Sequence, residues 1–103
     1  NLEFQTINCN SNNLTTLKAG GFTNLKILYC SYNQLSTLDL SENPDLEILT
    51  CKDNLFTSLD VSNNPVLDYL DCRDNPDLQT IYVAAGQTIS DLYKDDHTVI
   101  VTR

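Results

Sequence analysis

The chain has 103 residues, of which 41% are hydrophobic and 19% charged, so it has the length and composition of one folded domain rather than of a disordered or membrane-spanning segment. Six Lys and Arg residues against 14 Asp and Glu residues give a net charge of −8, which argues against binding to nucleic acid or to an anionic membrane. One His, no Met and no Trp leave few ways to build a catalytic centre, so we expect no enzyme and no bound metal or cofactor. No apolar run reaches the ~18 residues of a transmembrane segment.

Four cysteines mark a tandem repeat. Cys9, Cys30, Cys51 and Cys72 follow one another at intervals of 21 residues. An Asn stands three residues after each Cys, and apolar residues stand two and five residues before it, beginning with Phe4. Residues 30–50 and 51–71 are identical at nine of 21 aligned positions. This period is typical of a solenoid, in which each coil buries its apolar row against the next coil.

A short strand is predicted before each Cys. In the unit at 46–51, Leu49 and Cys51 point inward, whereas Ile48 and Thr50 point outward, because side chains alternate along a strand. The Asn that follows, such as Asn54, can satisfy buried backbone groups in the turn. Asn-Pro pairs at 43–44, 64–65 and 75–76 predict further turns, because Pro fixes φ and biases the preceding residue away from helix.

The fourth unit is shifted by one residue. Its apolar residues Leu78, Ile81 and Val83 lie six, nine and eleven residues after Cys72, whereas the earlier units have them at five, eight and ten. Lys94 stands near the place of a fifth Cys, and the run at 98–102 predicts a closing strand. We therefore interpret 1–85 as four repeats and 86–103 as a C-terminal capping segment.

The pattern LxxLxCxxNxLxxLDLSxNPx, clearest at 46–66, resembles the leucine-rich repeats of bacterial surface proteins, above all the 21-residue, cysteine-bearing class of the internalin family. The resemblance covers about residues 4–85. It implies a leucine-rich-repeat solenoid, an α/β-class horseshoe by family but here mostly β and irregular. A parallel β-sheet would form the concave face, with irregular backbone opposite. The first unit departs from the pattern at 18–22, where KAGGF replaces LDLSEN.

The cysteines have three interpretations. The simplest is a column of free, buried thiols, because unpaired Cys is among the most buried residue types. Disulfides between neighbouring coils are a second possibility, although in-register strands aim both side chains in the same direction. A zinc site is the third, but zinc motifs usually have ligands paired a few residues apart, and these four are not.

Structural roles are the better interpretation for the other polar residues that could belong to a catalytic or metal site. His97 stands beside Asp95 and Asp96 but lacks a nucleophile, so a surface turn is the better interpretation. Asp39 and Asp60 are expected to face solvent and order the turns that follow them. A weak calcium site involving Asp53, Asp71 and Asp74 stays open as the alternative to solvated carboxylates, although their spacing does not match an EF-hand.

The outward positions around each Cys carry an apolar and aromatic stripe that the core does not require. We predict that it forms a ligand-binding surface on the concave face, because exposed apolar patches with polar rims often mark interaction sites. Ordinary β-propensity is the alternative, since Ile and Tyr suit strands. Lys52 and Arg73 would favour a partner with acidic groups. The predicted surface consists of Ile27, Tyr29, Tyr32, Ile48, Lys52, Tyr69, Arg73 and Asp74.

These observations favour a non-catalytic recognition or adhesion domain of a secreted or cell-surface bacterial protein. The expected partner is a protein on the concave face, or less readily a glycan, and the domain is expected to be a monomeric fragment of a longer chain. A structural spacer, or an accessory domain of a larger surface protein or enzyme, is the alternative. Because one scaffold hosts many functions, the repeat alone does not decide between them.

Overall fold

The computed structural model describes residues 5–103, so the prediction for Phe4 lies outside the described residues. The described part contains eight short strands and no helix. The strands are β1 Thr6–Asn8, β2 Ile27–Tyr29, β3 Ile48–Thr50, β4 Ser58–Asp60, β5 Tyr69–Asp71, β6 Thr80–Val83, β7 Asp91–Tyr93 and β8 Val99–Thr102. They build a parallel solenoid of about five coils, which confirms the predicted fold class.

The first sheet contains one strand from each coil, in the order β1-β2-β3-β5-β7, and all of its pairs are parallel. The register joins Leu28 to Leu49 and Leu49 to Leu70, as the 21-residue period requires. The next pair joins Leu70 to Leu92, and its sequence separation is one residue larger than that of the earlier pairs. The one-residue shift in the fourth unit is therefore confirmed. We call the solvent side of this five-stranded sheet the concave face.

A second parallel sheet, in the order β4-β6-β8, forms where we expected irregular backbone. It begins only at the third coil, and its partners Leu59 and Ile81 are again 22 positions apart in the sequence. The segments at 80–83 and 99–102 are rich in β-branched residues, which favour strands. Local β-propensity therefore accounts for β6 and β8, whereas β4 has no β-branched residue and is extended by its pairing with β6.

The core consists of stacked inward side chains. Leu28, Leu49 and Leu70 are fully buried in the first sheet, as are Cys30, Cys51 and Cys72 one step beyond it. Burial of a Leu side chain contributes about 2 kcal/mol of hydrophobic free energy, and each coil supplies several such side chains. Packing between coils thus stabilises strands that are only three or four residues long.

The Asn that follows each Cys forms the predicted ladder. The amide nitrogen of Asn54 donates to the carbonyl oxygens of Cys30, Cys51 and Lys52 at 3.0, 3.3 and 3.1 Å. Its Oδ1 atom accepts from Leu35 N at 3.0 Å. One buried side chain therefore fastens a coil to the coil before it.

A second ladder runs along the other turn, where we had assigned the bend to Pro. Asn64 is fully buried and its amide nitrogen donates to the carbonyl oxygens of Leu40 and Asn43 at 3.1 and 2.9 Å. In the next coil Gln87 takes over this role, with Nε2 donating to Val61 O and Asn64 O at 3.0 Å each. The amide groups, together with Pro, hold this turn.

The segment 86–103 adds one strand to each sheet, β7 and β8. The predicted closing strand at 98–102 is present as β8, but its side chains Val99, Ile100 and Val101 remain exposed. Asp95 joins this segment to the fourth coil, since its carboxylate accepts from the backbone nitrogens of Asp74 and Asn75 at 3.0 Å. The described residues include no helix that is long and apolar enough to cross a membrane.

Candidate functional site

The concave face consists of two columns of outward side chains, set by the parallel register. One column runs along the first strand residues and the other along the third. The first contains Thr6, Ile27, Ile48, Tyr69 and Asp91, and the second contains Asn8, Tyr29, Thr50, Asp71 and Tyr93.

Tyr29, Ile48, Thr50 and Tyr69 line a shallow depression of about 280 Å³ in the middle of this face. All four side chains are half-buried. Ile27 lies next to Ile48 in the register and extends the apolar floor toward the N-terminus. The structure therefore brings together four of the eight predicted site residues, and it adds Thr50.

Tyr93 belongs to the same surface, although it is not among the residues that we predicted from the sequence. Its ring lies 5.6 Å from that of Tyr69, centroid to centroid, at an interplanar angle of 53°, a tilted arrangement that aromatic pairs favour. The one-residue shift in the sequence could have predicted this position of Tyr93. The shift places Leu92 inward beside Leu70, and therefore Tyr93 outward beside Asp71. The aromatic stripe thus continues into the last described strand of this sheet.

Arg73 is held by Asp71 and does not offer a free cation. Its Nε and Nη2 atoms donate to the two carboxylate oxygens of Asp71 at 2.9 and 2.8 Å. Burial alone raises the pKa of the Asp71 carboxyl, but the hydrogen bonds and the charge of Arg73 outweigh it, so the pKa lies below its ordinary value. This ion pair offsets the charge of Arg73 within the chain, and the expected preference of Arg73 for acidic partners stays a prediction.

The positions after each Cys lie in turns rather than on the strand faces. Tyr32 and Asp74 occupy the left-handed region, with φ of 60° and 61°, and Ser11 and Asp53 do the same in the other coils. Such a φ is rare for residues other than Gly and turns the chain out of the sheet. The predicted residues Tyr32, Lys52 and Asp74 therefore border the concave face at the ends of the strands.

Two interactions order this border. The Lys52 ammonium lies 5.9 Å from the centre of the Tyr32 ring, within the range of a cation–π contact. Ser31, which directly follows Cys30, is buried, and its Oγ atom accepts from Lys52 N at 2.9 Å. This hydroxyl is part of the framework between coils and is not available to a ligand.

The cysteines are free in the structure, as the simplest interpretation predicted. Cys30, Cys51 and Cys72 are buried, whereas Cys9 in the first coil is half-buried. Burial, with a smaller contribution from neighbouring charges, raises the pKa of Cys30 and of Cys72 to about 12. The thiols are therefore neutral at physiological pH and act as small apolar side chains.

The remaining acidic and basic candidates have structural roles. Asp39 and Asp60 each accept from the backbone nitrogen and the hydroxyl of the Ser two residues later, which confirms that they order their turns. His97 is exposed, and its Nε2 atom lies 3.3 Å from Asn75 O. Within 5–103, no three His, Cys, Asp or Glu side chains are grouped closely enough to hold a metal ion, so Asp53, Asp71 and Asp74 do not form a calcium site there.

A larger cavity of about 370 Å³ lies on another side of the solenoid. It is lined by the segment 16–20 of the first unit and by Thr37, Asp39 and Glu42 of the second. Here KAGGF replaces the usual LDLSEN, and the small residues leave space. A Cβ atom on Gly20 would stand 2.7 Å from the carboxylate of Glu42. The cavity therefore follows from the irregular first unit.

The comparisons agree with the fold. The structure is similar to that of the functional domain of internalin J (InlJ) from Listeria monocytogenes, a domain that includes a cysteine ladder. The TM-score is 0.72 at 24% sequence identity, over 96% of this chain and 26% of that one. The chain has an internalin-like leucine-rich-repeat fold. It spans only about a quarter of the length of the internalin J chain.

No protein-family profile and no curated protein matches the sequence of this chain. At 24% identity, the likeness to internalin J shows the fold alone.

Proposed function

We propose that this chain is a non-catalytic recognition domain that binds a partner protein on its concave face. One observation carries the proposal: the depression between Tyr29 and Tyr69, with Ile48 and Thr50 between them, lies on a face that no other described element covers. The inward row is already filled by Leu and Cys, so folding does not need these outward side chains.

The chemistry of the depression suits protein recognition. A Tyr side chain offers a large apolar face and a polar hydroxyl, with only two torsions to immobilise on binding. Binding energy at protein interfaces is concentrated in a few such residues, each of which costs about 2 kcal/mol or more on truncation. Tyr93, packed on Tyr69, extends this aromatic area at one end.

The proposed setting is a secreted or cell-surface bacterial protein. The repeat resembles those of bacterial surface proteins, and the fold is similar to that of the internalin J domain. Because the chain spans a small part of the internalin J chain, we propose that it acts within a longer protein, with its partner bound on the concave face.

The test uses the double variant Tyr29→Ser, Tyr69→Ser beside the wild type, in a protein pull-down and on a glycan array. We expect the variant to lose the captured protein partner, with at least a tenfold rise in Kd, because two anchors at about 2 kcal/mol each would be removed. Neither the wild type nor the double variant should bind strongly to any glycan on the array.

Tyr82→Ser is the matched control, because Tyr82 lies on β6 in the other sheet. Both variants must melt within a few degrees of the wild type, so that lost binding is not lost folding. If every captured ligand binds the wild type and the double variant alike, the concave face is not the binding site and a structural spacer becomes the better assignment. A glycan as the sole ligand would contradict the choice of a protein partner.

A further inference from the structure

Most of the tyrosine rings in this protein already hold a cation from the same chain. The chain has five Tyr residues. Three of them have a Lys or Arg over the ring: Lys52 over Tyr32 at 5.9 Å, Arg73 over Tyr93 at 5.2 Å and Arg103 over Tyr82 at 4.2 Å. An aromatic face attracts a cation through its quadrupole, and the attraction grows when the pair is partly desolvated.

Tyr29 and Tyr69 are the two exceptions. Among the described residues, no Lys or Arg lies over either ring. These two rings line the same depression, with Ile48 and Thr50 between them. The two tyrosines whose faces carry no cation of their own are thus adjacent to one concave space.

The charges around the depression favour a cation. Glu47 and Asp68 directly precede β3 and β5, Lys26 holds the same position before β2, and Asp91 on β7 is the register partner of Tyr69. Three carboxylates therefore stand against one ammonium at the edge where these strands begin. On the opposite edge Arg73 is neutralised by Asp71, and Lys52 is engaged by Tyr32. The net charge of −8 attracts a positively charged partner over a longer range.

We propose that the depression between Tyr29 and Tyr69 binds a cationic side chain, a Lys ammonium or an Arg guanidinium, presented by the partner protein. The methylene groups of that side chain pack on Ile48, and the charged end lies against the two ring faces. The cation approaches from the edge that carries Asp91. This inference rests on the proposed function, since it names the chemistry of the partner at the same site.

The direct test uses small probes with the whole chain: the N-acetyl methylamides of arginine, lysine and norleucine. Norleucine matches the length of the lysine side chain without its charge. Titrations followed by NMR of the Tyr29 and Tyr69 ring signals should show binding of the two cationic probes about tenfold tighter than that of norleucine. Added salt should weaken the cationic probes and leave norleucine unchanged.

Variants test whether the Tyr ring faces, rather than other groups, bind the cationic probes. Tyr69→Leu should remove the preference for the cationic probes, whereas Tyr69→Phe, which keeps the ring, should retain it within about threefold. Asp91→Asn should weaken both cationic probes, and Tyr82→Leu in the other sheet should leave them unchanged. Chemical shifts away from the substitution confirm that each variant is folded.

The outcomes distinguish this inference from the proposed function. If norleucine binds as tightly as lysine and arginine, or if no probe shifts the Tyr29 and Tyr69 signals, the cationic assignment is overturned. A captured partner can also be tested after its lysines are acetylated and its arginines are modified. If it still binds and still requires Tyr29 and Tyr69, the cationic assignment is overturned, whereas the proposed function stands. A partner indifferent to both tyrosines overturns both.

Discussion

At the scale of single residues, the cysteine column shows how burial sets the chemistry of a side chain. Each thiol occupies the same inward position in successive coils, and Cys30, Cys51 and Cys72 have no measurable exposure. Removal from water disfavours the thiolate, which raises the pKa of Cys30 and Cys72 from 9.0 to about 12. The repeat of Cys at this position therefore requires neither disulfide nor metal chemistry.

The stability of the fold should fall as the pH rises from about 9 to about 12. In this window the unfolded chain loses the thiol protons and the folded chain keeps them, so a group with a raised pKa loses its contribution. The loss is on the order of 4 kcal/mol per thiol at most. Urea unfolding of Cys30→Ala should accordingly show a flatter pH dependence than the wild type.

Cys9→Ala is the control for the titration, because Cys9 is half-buried and burial raises its pKa less completely. The pH dependence of its unfolding free energy should stay closer to that of the wild type. Parallel curves for the wild type and Cys30→Ala between pH 9 and 12 would contradict the role assigned to the buried thiols.

At the scale of elements, the strands depend on the turns that follow them. Three-residue strands are too short to be stable alone, so amide side chains complete the hydrogen bonding that the sheets leave open. Asn33, Asn54 and Asn75 do this beside the first sheet, and Asn43, Asn64 and Gln87 do it at the other turn. The ladders are therefore structural elements in the same sense as the sheets.

Asn54→Ala should destabilise the protein by about 3 kcal/mol, because it strips hydrogen bonds from several buried backbone groups at about 1–3 kcal/mol each. For a domain of this size the melting temperature should fall by about 10 °C or more. Asn63→Ala is the matched comparison, since Asn63 is exposed in the following turn. Equal melting temperatures for the two variants, measured by circular dichroism, would rule out the ladder as a main source of stability.

At the scale of the whole molecule, the solenoid is a stack in which each coil contacts only its neighbours. The central coils are covered on both sides, whereas the last coil has exposed Val99, Ile100 and Val101 on β8. It is fastened by Asp95 and by Thr98, whose hydroxyl donates to Leu78 O at 2.8 Å. Stability in such a stack is approximately a sum of coil and interface contributions, so these hydrogen bonds set how firmly the last described coil is held.

Asp95→Ala should loosen the last coil without unfolding the centre. The variant leaves Asp74 N and Asn75 N without their carboxylate acceptor, so amides of β7 and β8 should exchange with solvent faster, while those of β2 and β3 keep their protection. Asp96→Ala, at an exposed position beside it, should change neither. Uniform acceleration of exchange along the whole chain would show that the solenoid unfolds as one unit instead.

The length of each coil and its inward residues follow from the amino-acid sequence alone. Its 21-residue interval, the inward Leu and Cys columns, the Asn after each Cys and the one-residue shift near Pro76 all appear in the structure, because period and side-chain alternation are local properties. It also identified Tyr29, Ile48 and Tyr69 as outward residues, because the inward row was already complete.

Only the tertiary structure decided how the outward residues act. The left-handed φ of Tyr32 has no sequence signal, whereas Asp74 is a residue type that adopts this region more readily. The pairing of Arg73 with Asp71, the burial of Ser31 and the packing of Tyr93 on Tyr69 depend on side-chain rotamers and on contacts between coils. In the described residues no Lys or Arg lies over the Tyr29 or Tyr69 ring, because Lys52 and Arg73 on the border lie against other groups of the chain.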